Sequence, residues 1–245
     1  MHVPARSRVH VRIEEDNDTM GQAIGEILPM ALAIAVFPIP IVAVIVMLVS
    51  PRGPRLGPAF LVGWMLGLIV VGGIALLVAD VAEVEDEDGG SATAVYIIKV
   101  LVGALLIFLA YRKWQKRPKG DEPASLPRWM QAADQFTPVK AFGLAAVLSG
   151  VNPKNLAFTI AASVTIAQAG LATANTIGAF AVFVVVASLG VGIPVLWYLL
   201  SRERATATLT TWRTWLTRHN AMVMAVVFLV LGIVLAGQGV VGLGS

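Results

Sequence analysis

The sequence predicts an all-α integral membrane protein with six transmembrane helices, arranged as two inverted three-helix repeats in which helices 1 and 4 are broken. Three observations carry this expectation. Hydrophobic residues make up 57% of the 245 positions and charged residues 13%, and the apolar ones fall in blocks of about 20, the length a helix needs to cross the bilayer core. Lysine and arginine gather in alternate connections between the blocks. The first and fourth blocks alone carry a proline-centred interruption near mid-depth.

Residues 1–19 are polar and mixed in charge, with Arg6, Arg8 and Arg12 followed by Glu14, Glu15, Asp16 and Asp18. This composition predicts a disordered tail, absent from the protein if translation starts at Met20. No signal-peptide cleavage pattern precedes the first block, which runs to full membrane length. Six spans are expected at about Gly25–Val49, Leu56–Ala79, Ala92–Tyr111, Ala141–Ala167, Thr176–Leu200 and Ala221–Val241. They divide into a first repeat over 20–111, a basic linker over 112–140 and a second repeat over 141–245.

Orientation follows from the loops. The first holds Arg52 and Arg55, the third runs from Arg112 to Lys140 with five further basic residues between, and the fifth holds Arg202, Arg204, Arg213 and Arg218. The second and fourth have none. The positive-inside rule therefore places loops one, three and five in the cytoplasm and both termini outside, in a cytoplasmic (inner) membrane protein. Trp114, Trp129, Trp197, Trp212 and Trp215 fall at the same cytoplasmic ends, where indole rings sit among headgroups. Apolar residues at helical spacing, Leu126 to Phe136 in the third loop and Leu209 to Leu216 in the fifth, predict short amphipathic helices on the inner face. Asp80, Glu83, Glu85, Asp86, Glu87 and Asp88 read as a solvated acidic second loop.

The fourth block contains the chemically unusual stretch SGVNPKN, Ser149 to Asn155. Lys154 falls about 12 residues, or roughly 18 Å, into the block, close to the middle of a bilayer. A lysine there costs about 2.5–3.5 kcal/mol, so it calls for a partner, a water-filled cavity or a ligand. Asn152 as N-cap and Pro153 at the first helical position predict that a second half-helix starts at this point. The first block breaks at the matching depth in FPIPI, where Pro38 and Pro40 remove two backbone donors. An odd number of spans separates the breaks, so the halves enter from opposite sides, as in transporters whose broken helices meet near the midplane. Gly63 and Gly67, flanking Trp64, form a GxxxG pair that predicts close helix packing.

Composition also excludes. The chain has no cysteine, and His2, His10 and His219 lie outside the apolar blocks, so no metal site and no cofactor are expected. The spans present no nucleophile–base pair, carboxylate pair or P-loop, so the protein is expected not to be an enzyme. The net charge of +3 is explained by topology, not by nucleic acid as a partner.

The segments FPIPIVAVIVMLVSPRGPRLGPAFLVGWMLGL and LSGVNPKNLAFTIAASVTIAQAG resemble the glycopeptidolipid-addressing and sulfolipid-addressing protein family, placed in the lysine-exporter superfamily of six-span transporters. The resemblance covers nearly everything from Met20 onward, and its matching positions are Pro38, Pro40, Ser50, Pro51, Gly63, Trp64, Gly67, Asn152, Pro153, Lys154 and Asn155. It implies a protein that moves bulky glycolipids or peptidolipids of the cell envelope outward. The candidate transport site is then Lys154, Asn152, Pro153, Asn155, Pro38, Pro40 and Ser149, with the half-helix N-termini near Pro40 and Pro153 adding N–H donors for an anionic, lipid-linked substrate. Expected partners are membrane lipid, that substrate, envelope glycolipid biosynthesis or export proteins, and a second copy in a homo-oligomer. Two alternatives stand beside this reading: an exporter of an amino acid or ion, and a non-transporting scaffold for glycolipid-synthesis enzymes.

Overall fold

The computed structural model describes residues 5–83, 91–115 and 136–244. Among them the protein is helical throughout. In order the helices are α1 (Ala5–Ala35), α2 (Pro38–Val49), α3 (Gly53–Glu83), α4 (Ser91–Gln115), α5 (Pro138–Gly150), α6 (Pro153–Gln168), α7 (Thr173–Leu200) and α8 (Arg202–Gly244). Of the expected acidic loop, Asp80 and Glu83 instead lie in the last turn of α3, as no proline or glycine stops that helix before them, and 84–90 lie outside the described residues. Of the expected linker 112–140, Arg112 and Lys113 lie in the last turn of α4, α5 starts at Pro138, and 116–135 lie outside the described residues with most of the amphipathic segment expected there.

Among the described residues three helical stretches are each long and apolar enough to cross a membrane: Gly53–Ala79, Thr173–Leu200 and Arg204–Gly244. The pair Thr19–Ala35 and Pro38–Val49, bent by 51°, makes a fourth. These account for the expected first, second, fifth and sixth spans, while α4 and the α5–α6 pair occupy the sequence of the third and fourth.

Two elements differ from expectation. Helix α1 reaches back to Ala5, through the polar segment where composition predicts disorder. No proline or glycine lies between Ala5 and Met20, so nothing in the backbone interrupts the helix of the first span. At the other end, the fifth loop is reduced to Ser201: α7 ends at Leu200 and α8 starts at Arg202, running 43 residues without a break. The short interfacial helix expected around Trp212 is therefore the first half of the last helix. Six threonines between Thr206 and Thr217 return their hydroxyls to the carbonyl four residues earlier, which satisfies them without leaving the helix.

The helices pack across the chain order. Helix α3 lies against α5 and α6, and α7 lies against α1 and α2, while α4 pairs along α8. Small residues set the approach. A Cβ on Gly63 would collide with the Phe142 backbone, and one on Gly67 with the Ala146 carbonyl and the Ser149 hydroxyl. A Cβ on Gly103 would sit 2.8 Å from the Gly232 carbonyl, and one on Gly232 would sit 2.8 Å from that of Gly103. Backbones this close take van der Waals contact from atoms that longer side chains would hold apart, the usual means of joining helices where no water drives association. Around these crossings a continuous buried cluster includes Ile27, Ile34, Phe60, Trp64, Phe183 and Leu209.

Candidate functional site

The two breaks meet, and Lys154 joins them. At the first, the Val36 N–H completes the last α turn on Leu32 O at 3.0 Å, but the Phe37 N–H turns to Ile34 O at 3.3 Å. Ala33 O thereby loses the amide that a continuous helix would supply. Pro38 then starts α2 with no N–H to offer. The orphaned Ala33 carbonyl accepts a hydrogen bond from Lys154 Nζ at 3.1 Å. The same ammonium lies 3.9 Å from the centroid of the Phe37 ring and 5.8 Å from that of Phe158.

Among the described residues no carboxylate pairs with Lys154. Its charge is met by the negative end of the α1 dipole, one freed carbonyl and two aromatic faces, each favourable to a cation and together replacing the counter-ion. None of these groups carries a formal negative charge. An ammonium has three donors, of which Ala33 takes one.

The second break explains the other residues of NPKN. Asn152 is extended (φ −62°, ψ 121°), and its Oδ1 accepts from the Lys154 amide at 3.1 Å, capping α6, whose first residue is Pro153. Asn155 Nδ2 donates to Leu148 O at 3.0 Å, a carbonyl near the end of α5. One asparagine thus starts the new half-helix and the other ties it to the old one. Ser149, buried at the end of α5, donates its hydroxyl to Ala146 O at 3.2 Å and rests against Gly67 of α3.

The helix starts themselves offer less than the sequence implies. Helix α2 begins at Pro38, not near Pro40, and its N-cap residue Phe37 makes no side-chain cap. Of the four amides that open a helix without partners, two are absent here as Pro38 and Pro40, and that of Phe37 bonds to Ile34. Both prolines are buried. At α6, Pro153 has no N–H and that of Lys154 is taken by Asn152. The electrostatic centre is therefore the lysine facing the C-terminal end of α1, not a pair of open N-termini.

Several members of the site carry no clear sequence signal. Ala33 acts through its backbone, and Phe37 and Phe158 read as ordinary apolar residues. Gly190 of α7 is a further one: a Cβ there would overlap the Ala35 carbonyl and lie 2.8 Å from its carbon. Lys99, the ninth of the 25 residues of α4, is a second lysine inside a span-length segment.

Beside the first break lies an apolar cavity of about 610 Å³ between α1, α2, α7 and the first half of α8. Ala35 and Val36 line it at the break, together with Ile193 and Pro194 of α7 and Thr211, Trp212 and Trp215 of α8. Leu32, Val36, Ile193 and Trp215 are each about half exposed (42–51%), so the cavity opens sideways at the surface. Trp212 is held against Trp197 with ring centroids 5.4 Å apart.

Residues 27–241 match a family model described as Sap, sulfolipid-1-addressing protein. No curated protein and no solved structure matches the chain at a significant level.

Proposed function

Because the chain belongs to the Sap, sulfolipid-1-addressing protein, family, we propose that it exports or flips an anionic, lipid-linked molecule of the cell envelope across the cytoplasmic membrane. One observation carries the reading: a lysine with no carboxylate partner among the described residues and an apolar cavity flank the same α1–α2 break. Lys154 holds Ala33 O, and two and three residues later Ala35 and Val36 wall the cavity. A volume of about 610 Å³ falls in the range of sites that enclose a drug-sized ligand. A wall that is apolar except for Thr211 and open to the surface suits an acyl chain, whereas an amino acid or inorganic ion has no use for it.

In this mechanism a sulfate, phosphate or carboxylate headgroup takes the donors of Lys154 that Ala33 leaves unused, while the acyl part lies against Ala35, Val36 and Ile193. Binding then competes with the Ala33 carbonyl and loosens the clasp between the breaks. The crossed packing of α3 on α5–α6 and of α7 on α1–α2 supports two inverted three-helix halves that rock against each other around this clasp. The loop charges support cytoplasmic connections at 50–52 and 112–140 and extracytoplasmic termini. Membership of the lysine-exporter superfamily is part of the same proposal.

Lys154→Arg and Lys154→Met test it, read as surface lipid content in cells at matched membrane levels of protein. Arginine keeps the charge in a different shape, and partial export is expected. Methionine keeps the length without charge, so export is expected to fall at least tenfold. Equal surface lipid from wild type and Lys154→Met would remove the lysine from the mechanism and favour a scaffold, whose contacts lie elsewhere.

A further inference from the structure

Serine and threonine in an apolar helix ordinarily return their hydroxyls to a carbonyl three or four residues earlier. Helix α8 does this at Thr206, Thr208, Thr210, Thr211, Thr214 and Thr217, and Ser149 does it on α5. Helix α6 departs from the pattern. Thr159 Oγ1 and Ser163 Oγ have no protein partner, and neither does Asn155 Oδ1. All three residues are 0% exposed.

Their spacing places them on one face. Positions i, i+4 and i+8 stack along a helix over about 12 Å. The row begins at the neighbour of Lys154 and runs toward Gln168, where the chain turns through Gly170 (φ 61°) into α7. Across from that end, a Cβ on Gly72 of α3 would lie 3.2 Å from Ser163 Oγ and 2.6 Å from Phe180 Cζ, so what packs at the hydroxyl is a glycine and an aromatic edge, neither of which offers it a hydrogen-bond partner. Ser188 Oγ, on α7 that packs against α6, is likewise buried without a partner.

A hydroxyl both donates and accepts, and the amide oxygen accepts. Three such groups left dry would each carry the penalty of an unmade hydrogen bond, and buried polar groups in this condition hold ordered water, whereas apolar voids stay empty. We infer that Asn155, Thr159 and Ser163 line a file of water that enters at the α6–α7 turn and ends at Lys154. The file gives the lysine a hydrated approach from one membrane face only. This holds whatever the cargo, so it stands apart from the lipid reading.

The absence of cysteine from the chain makes the test direct. Thr159→Cys, Ser163→Cys and Ala162→Cys are made singly, position 162 being also 0% exposed but on another face of α6 at the same depth. Each is treated with the small cationic reagent methanethiosulfonate ethylammonium from the face on which Ala172→Cys, just before α7, is labelled. Cysteines at 159 and 163 are expected to react at least tenfold faster than one at 162, and at least tenfold more slowly from the opposite face. Adding Ser163→Val to Thr159→Cys narrows the file without changing the probe position, and should slow modification at 159 about tenfold. Variants are compared at equal membrane content. Equal rates at 162 and 163, faster labelling from the opposite face, or no effect of Ser163→Val would each overturn the inference.

Discussion

The substitution Gly190→Ala probes the clasp from a residue that makes no contact with Lys154 and lies on α7, on the wall of the apolar cavity. The new Cβ would lie 2.8 Å from the carbonyl carbon of Ala35 and overlap its oxygen. An unstrained carbon–carbon contact needs about 3.5–4.0 Å, so the end of α1 must withdraw from α7 by roughly 1 Å, since backbone cannot rotate away as a side chain can. Ala33 lies two residues upstream, and its 3.1 Å bond to Lys154 Nζ has little room to lengthen before it is no longer a hydrogen bond. Overpacking costs about 1–3 kcal/mol, and losing a hydrogen bond to a charged group about 1.5–3 kcal/mol. The expected loss is thus about 3–5 kcal/mol, well above the effect of an ordinary Gly→Ala change within a helix, which favours the folded state by about 0.5–1 kcal/mol. The purified protein in detergent should melt on the order of 10 °C lower, and surface lipid should fall with it. Gly143, where a Cβ meets nothing within 4 Å, provides the control: Gly143→Ala should be neutral or slightly stabilising. A Gly190→Ala protein with wild-type melting and full export would refute the claim that α7 holds the break in register.

Three further outcomes are expected. Replacing Pro38, Pro40 and Pro153 together by alanine should restore backbone donors at both breaks and lower export severalfold at normal membrane content, measured as surface lipid. Asn152→Ala should lower stability by about 0.5–2 kcal/mol through loss of the α6 cap, and Asn152→Asp should recover most of it, both read from denaturation in detergent. For topology, a cysteine at Ala172 should react with a membrane-impermeant thiol reagent in whole cells, and one at Gly120 only after lysis; labelling of Gly120 in intact cells would contradict the orientation.

The breaks were legible because proline, asparagine and lysine are conspicuous inside an apolar run, and because Asn-Pro fixes where a helix starts. Asn152 caps α6 with its side chain as that signal requires. What Lys154 touches was not legible, since its hydrogen-bond acceptor is the backbone of Ala33 and a carbonyl has no letter in the sequence. Hydropathy misread α8 for a related reason. The stretch from Arg202 to Asn220 is too polar to resemble a span, yet it has no glycine or proline to stop a helix, and hydropathy reports the surroundings of a segment, not its backbone state. In the same way, the polar row of Asn155, Thr159 and Ser163 passes unnoticed among apolar neighbours until burial shows that nothing else satisfies it.

The unbroken α8 has a mechanical consequence. At about 1.5 Å per residue its 43 residues extend roughly 65 Å, twice the thickness of the hydrocarbon core. One arm is seated on α4 through the Gly103–Gly232 crossing, and the other reaches α2 and α7 through the buried Ala205 and Leu209. No hinge residue separates the arms between Arg202 and Val230. A helix of this length without a hinge would tilt as one body: about 5° of rotation at the Gly103–Gly232 crossing, roughly 30 Å along the axis from Trp212, would displace that indole by about 2–3 Å at the edge of the apolar cavity it lines.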